Sequence, residues 1–197
     1  MTADRETLAA YAAKLEDYAR MADDLSGDPR LGAFIAALPK GARVLDLGCG
    51  PGWAARRMAM AGLVVEATDA SPAMVGEAAD IPGVTARVAS FDDLDGTDIY
   101  DGIWANFSLL HAPRADMPRH LAALRRALKP GGLFHIGMKT GTGAHRDSLG
   151  RFYTYYTEEE LHVILRDAGF VPFSSDHGCD TGLAGTPEDW VTIAAHG

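Results

Sequence analysis

Between Val44 and Gly52 the chain reads Val-Leu-Asp-Leu-Gly-Cys-Gly-Pro-Gly, with glycines at 48, 50 and 52 directly after a short apolar run. Glycine lets the backbone turn sharply and lets a ligand approach the main chain without a Cβ in the way. A carboxylate, Asp46, stands two positions before the first of these glycines. Beside a pyrophosphate that charge is unhelpful, whereas it suits a ligand that carries an ammonium and a second positive centre. The dinucleotide fingerprint asks for glycine or alanine at position 53, where Trp53 stands, and the absence of a following Gly-Lys-Ser/Thr excludes a P-loop. A second acid, Asp69, closes the next apolar run. There a carboxylate can accept both hydroxyls of a ribose, which points to an adenosine-type ligand without choosing the cofactor.

Other residues carry weaker chemical signals. His111 follows the fourth apolar run by a few residues and serves equally well as a base, a substrate contact or an ordinary loop residue. Tyr153, Tyr155 and Tyr156 have partly extended spacing; two read as packing, and one or more, Tyr153 first, as lining of an acceptor pocket. Tyr11 and Tyr18 share the apolar face of an N-terminal helix and read either as core or as part of a lid over the site. Cys49 lies inside the glycine loop, where a small packed residue is expected rather than a nucleophile. His177-Gly-Cys179-Asp180 lacks the second ligand pair that a structural zinc needs, so no metal is expected.

These residues need elements to hold them. Leu8, Tyr11, Leu15, Tyr18, Ala22 and Leu25 recur at steps of three and four and predict a helix ended by Ser26-Gly27. Asp28-Pro29 opens a second helix to about Leu38. Short apolar strands are expected at 43–47, 63–68, 84–88, 99–105, 133–138, 171–175 and 190–195. Helices are expected at 53–61, from Ser71-Pro72 to Ala79, from Asp116 to Leu128, and from Thr157 to Gly169. The last begins with Thr-Glu-Glu-Glu, a capping-box spacing. Alternation of this kind implies an α/β fold: a doubly wound, seven-stranded, mostly parallel sheet with an antiparallel last strand. Lys129-Pro-Gly-Gly132 reads as a turn, and the Gly-rich stretch 139–150 as a mobile or substrate-facing loop.

Composition narrows the function classes. At 197 residues one domain is expected, with residues 1–40 a helical lid region and 41–197 a cofactor-binding core. Eighteen Lys+Arg against 27 Asp+Glu give a net charge of −9, which disfavours gripping nucleic acid or an anionic membrane. No apolar run is long enough to span a bilayer, and the charged start has no apolar segment typical of a secretory signal. Two distant cysteines suit a reducing, cytoplasmic location and no disulfide framework. A monomer or homodimer is expected.

Taken together, the stretch from Val44 to about Phe173 resembles a class I S-adenosylmethionine-dependent methyltransferase of the small, single-domain type. The resemblance rests on Asp-x-Gly-x-Gly-x-Gly at 46–52, EATDASPAMV with Asp69, VASFDDLD, YDGIWANFSLLH, LRRALKPGGLFHIG and RFYTYYTEEELHVILRDAGF. It implies that Asp46 and the loop around Gly48, Cys49 and Gly50 hold the methionine moiety, and that Asp69 binds the ribose. It implies too that Ala70 and Met74 pack on the adenine, that Ser90 and the Phe91 amide edge it, and that the Asn106 carbonyl reaches the amino group. Many relatives have an aspartate where Ser90 falls; here Asp92 and Asp93 come slightly later.

The implied reaction is in-line methyl transfer to an acceptor, with S-adenosylhomocysteine as product. The sulfonium brings its own leaving group, so the protein mainly positions and desolvates. Asn106 is followed by Phe107-Ser108-Leu109, not by the Pro-Pro-Tyr type of signature expected for amino-methylating nucleic acid enzymes, and with the net charge this favours a small-molecule acceptor. The alternatives are a regulatory protein that binds adenosylmethionine or its product without turnover, and an NAD-dependent oxidoreductase, which Trp53 and Asp46 oppose.

Overall fold

The computed structural model describes residues 4–15 and 27–197. A short helix, α1 (Arg5–Ala13), opens the described chain, capped by Asp4, whose carboxylate accepts from the Thr7 amide. The predicted continuation of this helix to Leu25, and Tyr18 with it, lies outside the described residues. Helix α2 (Pro29–Ala36) starts as expected: the Asp28 carboxylate accepts from the Arg30 amide, with proline in the first turn.

The core then alternates β1 (Arg43–Leu47), α3 (Trp53–Met60), β2 (Val64–Asp69), α4 (Pro72–Ala79), β3 (Val84–Val88) and β4 (Tyr100–Asn106). It continues through α5 (Met117–Ala127), β5 (Leu128–Lys139), β6 (Ala144–Arg146), β7 (Phe152–Thr154), α6 (Glu158–Asp167), β8 (Val171–Thr181) and β9 (Pro187–His196). Seven strands form one sheet in the order β3-β2-β1-β4-β5-β9-β8. The five strands from β3 to β5 run parallel, and β9 is antiparallel to both β5 and β8. The chain winds outward from β1 to β3 and returns to β4 on the other side of β1. The strand order reverses there, and doubly wound sheets open a ligand crevice at the carboxyl ends of the strands at that point.

Both faces are covered, which is why the central strands read as near-continuous apolar runs. Leu45, Ile103, Phe134 and Ile193 pack with Leu121 and Leu124 of α5 and Leu161 and Leu165 of α6. Val44, Val65 and Trp104 pack with Leu31 and Phe34 of α2 and Ala55 and Met58 of α3. Thr157 and Glu160 close a reciprocal capping box at the start of α6. No helix among the described residues is long and apolar enough to cross a membrane.

Four sequence expectations are corrected. Lys129-Pro-Gly-Gly132 does not end one element and start another; it is a bulge within β5, which pairs with β4 on both sides of it, Tyr100 with Leu128 and Gly102 with Leu133. The last two strands extend well beyond the apolar residues that predicted them, because polar residues 176–181 and 187–189 continue the ladder at the exposed end of the β8–β9 hairpin. The 139–150 stretch contains β6, which pairs with β7 as a small hairpin. Asp116 stands at the start of α5, but its side chain makes no cap bond and faces Arg119 instead.

One glycine ties the sheet to the loop after β4. A Cβ on Gly137 would overlap Asn106 Oδ1 and lie 3.2 Å from the Phe107 amide nitrogen. Gly137→Ala is therefore expected to destabilise the protein by about 1–3 kcal/mol, as overpacking does. Urea denaturation checks this; an unchanged midpoint contradicts it.

Candidate active site

A cavity of about 350 Å³ opens over the carboxyl ends of the parallel strands, a size typical of small-ligand sites. Its floor is the glycine loop. Gly48, Gly50 and Gly52 have φ of 70, 54 and 88°, the left-handed region that favours glycine. A Cβ on Gly48 would overlap the Ser108 side chain, and one on Gly52 would lie 2.7 Å from Ile81 Cδ1. Two of the glycines are thus required by neighbouring protein as well as by backbone hand, a demand that spacing alone does not reveal.

Asp69, at the end of β2, faces the cavity. Its Oδ2 accepts from the Gly50 amide at 3.0 Å and its Oδ1 from the Ser71 amide at 2.8 Å. Burial pushes this carboxyl above its ordinary range, while the Ser71, Gly50 and Ala70 amides pull it back. An ionised carboxylate offers about four acceptor positions, so these two bonds leave it capacity toward the cavity.

Asp46 is buried at 3% exposure and lies behind the loop rather than on the cavity wall. Burial, reinforced by the charge of Asp69, raises its carboxyl to about 7. Its Oδ2 has no hydrogen-bond partner among the described residues, and neither has the buried Oγ of Ser108, which does reach the wall. Buried polar atoms are nearly always satisfied. Of these two unsatisfied atoms, the Ser108 hydroxyl is at the cavity and the Asp46 oxygen lies behind the loop.

Ala70, Met74, Ser90 and Phe91 line the end of the cavity near β3, with Asp92 and His120. The Ser90 hydroxyl and amide both donate to Asp93, so its side chain fastens the turn. The imidazole of His120 stands edge-on to Phe91 at 5.6 Å.

Three more predicted residues lie off the wall for physical reasons. Asn106 turns its side chain onto the sheet, where Oδ1 accepts from His135 Nε2 at 3.0 Å. The Cys49 thiol points to the Gly50 carbonyl at 3.3 Å, and burial pushes it far up, so it is no nucleophile. Tyr153 packs behind His111, ring centroids 4.7 Å apart, and beneath Lys139. Among the described residues no group of three or more His, Cys, Asp or Glu converges as a metal site; His177 pairs with Glu158 at 2.9 Å.

Helix α1 closes the other end. Asp4, Thr7, Leu8 and Tyr11 are on the wall, and each polar one is tied to the β6–β7 hairpin or the loop after β4. Arg146 grips Asp4 through two nitrogens at 2.8 and 2.9 Å, and the Phe152 amide donates to Thr7 Oγ1 at 2.8 Å. His111 Nδ1 lies 2.6 Å from the Phe152 carbonyl, which can only accept, so Nδ1 carries the proton. Nε2 is then an acceptor, and the Tyr11 hydroxyl donates to it at 2.9 Å. Arg151 donates to Tyr11 Oη at 3.3 Å and is itself held by Asp147. Burial lowers His111 to about 4, with the Arg151 and Lys139 charges acting in the same direction. His111 is neutral near pH 7, with its one lone pair committed to α1.

Leu8, Phe107, Ser108, His120, Arg146 and Phe152 are wall residues that sequence reasoning missed. Phe107 adopts φ 55°, a conformation rare for a bulky side chain and often stored at functional sites. Its only sequence signal is its place directly after the strand that ends at Asn106.

With this geometry the comparisons are consistent. Residues 16–174 match the family described as Methyltransferase domain. The chain belongs to this family, whose cofactor is S-adenosylmethionine. An uncharacterized methyltransferase of Synechocystis is 34% identical over 143 residues, 68% of this chain and 65% of that protein. A ubiquinone biosynthesis O-methyltransferase of Xanthomonas oryzae is 36% identical over 112 residues, 53% of this chain and 46% of that protein. The chain thus spans about half to two thirds of the length of these relatives. Among solved structures, the Burkholderia thailandensis 1,6-didemethyltoxoflavin-N1-methyltransferase, with 1,6-didemethyltoxoflavin and S-adenosylhomocysteine bound, superposes with a TM-score of 0.79 at 25% identity, covering 97% of this chain and 87% of that one.

The tautomer has measurable consequences. Imidazole nitrogen shifts should show His111 neutral and Nδ1-protonated from about pH 8 down to about pH 5; a midpoint near the ordinary 6.5 contradicts the assignment. An unfolded imidazole takes its proton near pH 6.5, the folded one only near about 4. In that window the unfolded chain binds more protons, so His111 makes folding less favourable as pH falls through it. Tyr11→Phe leaves Nε2 without its donor and is expected to cost about 1–3 kcal/mol. Its readout is faster amide exchange across residues 5–13; unchanged exchange there contradicts the latch.

Proposed function

We propose that this chain binds S-adenosylmethionine in the cavity and transfers its methyl group to a small-molecule acceptor. The observation that carries the reading is the pairing of a glycine loop and a cavity-facing Asp69 with two unsatisfied buried atoms, Asp46 Oδ2 and Ser108 Oγ, close to Gly48. In this reading Asp69 takes the ribose hydroxyls and Asp46 with Ser108 takes the amino group. Ala70, Met74, Ser90 and Phe91 surround the adenine, and the backbone of Gly48, Gly50 and Asn106 follows the methionine part. When bound, the cofactor supplies an electrophilic methyl on a positive sulfur that leaves as a neutral thioether.

An acceptor whose lone pair is held in line with that methyl would take it, and the residues lining the cavity would hold and align the two. His111, with its lone pair engaged by Tyr11, is not available as a base while that bond is made. The protein therefore contributes position and exclusion of water. Helix α1 acts as the lid, and residues from position 41 onward form the cofactor-binding core. A small acceptor is supported by the 1,6-didemethyltoxoflavin bound to the Burkholderia neighbour and by a cavity of about 350 Å³. The net charge of −9 supports an acceptor other than nucleic acid. It also supports action in the cytoplasm, off the membrane surface.

Titration calorimetry with S-adenosylhomocysteine and with NAD tests this: the first binds and the second does not, and the reverse contradicts the reading. Asp69→Ala should weaken adenosylhomocysteine binding by about 1–3 kcal/mol, the worth of hydrogen bonds to a charged acceptor. With the Asp46 carboxyl at about 7, a bound cation favours its ionised form, so binding should release protons near neutrality. Affinity then falls as pH drops below about 7. Buffer-independent binding enthalpies at that pH would count against Asp46.

A further inference from the structure

The end of the cavity beneath α1 carries a specific charge arrangement. Three cations sit over aromatic rings at this end or just behind it. Arg151 lies 5.1 Å from the Tyr11 centroid and 5.3 Å from that of Tyr153, Lys139 3.7 Å from that of Tyr153, and Arg146 5.8 Å from that of Phe152. Each cation also has its own carboxylate: Arg151 has Asp147, Lys139 has Glu188, and Arg146 has Asp4 and Glu6.

These pairings act against charged acceptors of either sign. An ammonium is usually recognised on the faces of aromatic rings, but here a protein cation already occupies a face of Tyr11 and of Phe152. A phosphate or carboxylate needs an available cation, and each of these three is already matched by its own acid. Burying a charge without a partner is expensive. Beside the paired Asp4 and Arg146 and the engaged Thr7, this end offers the apolar and aromatic surface of Leu8, Phe107, Phe152 and the ring of Tyr11. Phe107 is held there by a left-handed backbone and stands edge-on to Trp190 at 6.1 Å.

We infer that the acceptor subsite takes an uncharged, planar aromatic or heteroaromatic molecule, packed against Phe107 beneath α1. This rests on the methyl-transfer reading of the same cavity. Rings of this kind gain from stacked or edge-on contact with Phe107 and Phe152 and need no ionic partner.

The test separates the two readings. The full-length protein is first saturated with S-adenosylhomocysteine, with binding followed by calorimetry; failure at this step takes both readings down. Saturation-transfer NMR on the loaded protein is then run with lumazine and quinazolin-4-one as neutral planar probes, and with phosphoethanolamine and malonate as charged ones. The expected result is transfer to the planar probes and none to the charged pair. Phe107→Ala, once saturated with adenosylhomocysteine, should weaken the planar probes about tenfold, the scale of one lost aromatic contact. Phe152→Leu serves as a second variant if Phe107→Ala fails to fold. Binding of phosphoethanolamine or malonate in preference, planar binding indifferent to both variants, or no binding of any probe to the loaded protein overturns the inference while leaving the donor site intact.

Discussion

The bond from the Gly50 amide to the Asp69 carboxylate joins the ends of the first two parallel strands, and the geometry of the cavity follows from it. It pins the glycine loop, with its left-handed residues, against the tip of β2. Such a bond is charge-assisted and largely shielded from water, so it is stronger than an exposed one. It also means that a half-buried carboxylate is kept in place by main-chain amides. Those amides hold two of its acceptor positions and leave the others toward the cavity. Behind the loop, Asp46 sits in a drier setting, where burial raises its carboxyl to about 7. The two acids lie one behind the other, and a cationic ligand relieves the electrostatic cost of keeping both.

A second constraint sits at the opposite end. Arg151, Tyr11, His111 and the Phe152 carbonyl form a directed chain in which each donor has an identified acceptor. The imidazole cannot be both the acceptor that holds α1 and a base for the reaction. Between the readings that residue type leaves open, the geometry favours the structural one while α1 is closed. The same chain holds Arg151, paired with Asp147, against the rings of Tyr11 and Tyr153.

How much of this was legible in the residues depended on the range of the interaction. The order of elements, the antiparallel last strand and the capping box at Thr157 follow from local spacing, and apolar periodicity reports them well. Asp69 and the glycine loop were legible because ligand and backbone demands coincide in one short segment. The contact between Gly48 and Ser108 was not, because it joins segments far apart in sequence. Nor was the tie between Tyr11 and His111, one hundred positions apart. The 139–150 stretch looked irregular because glycines hide a hairpin whose partner strand lies beyond it. The bulge in β5 looked like a turn because Lys-Pro-Gly-Gly is turn chemistry wherever it occurs.

The central claim is that the cavity is a donor site organised by Asp69 and by the unsatisfied atoms of Asp46 and Ser108. A crystal structure of the S-adenosylhomocysteine complex tests it most directly. The account predicts the ribose hydroxyls on Asp69, with its bond from Gly50 retained, and the ligand amino group within hydrogen-bonding reach of Asp46 Oδ2 or Ser108 Oγ. A ligand seated elsewhere, or one that leaves both of those atoms unpartnered, would contradict it.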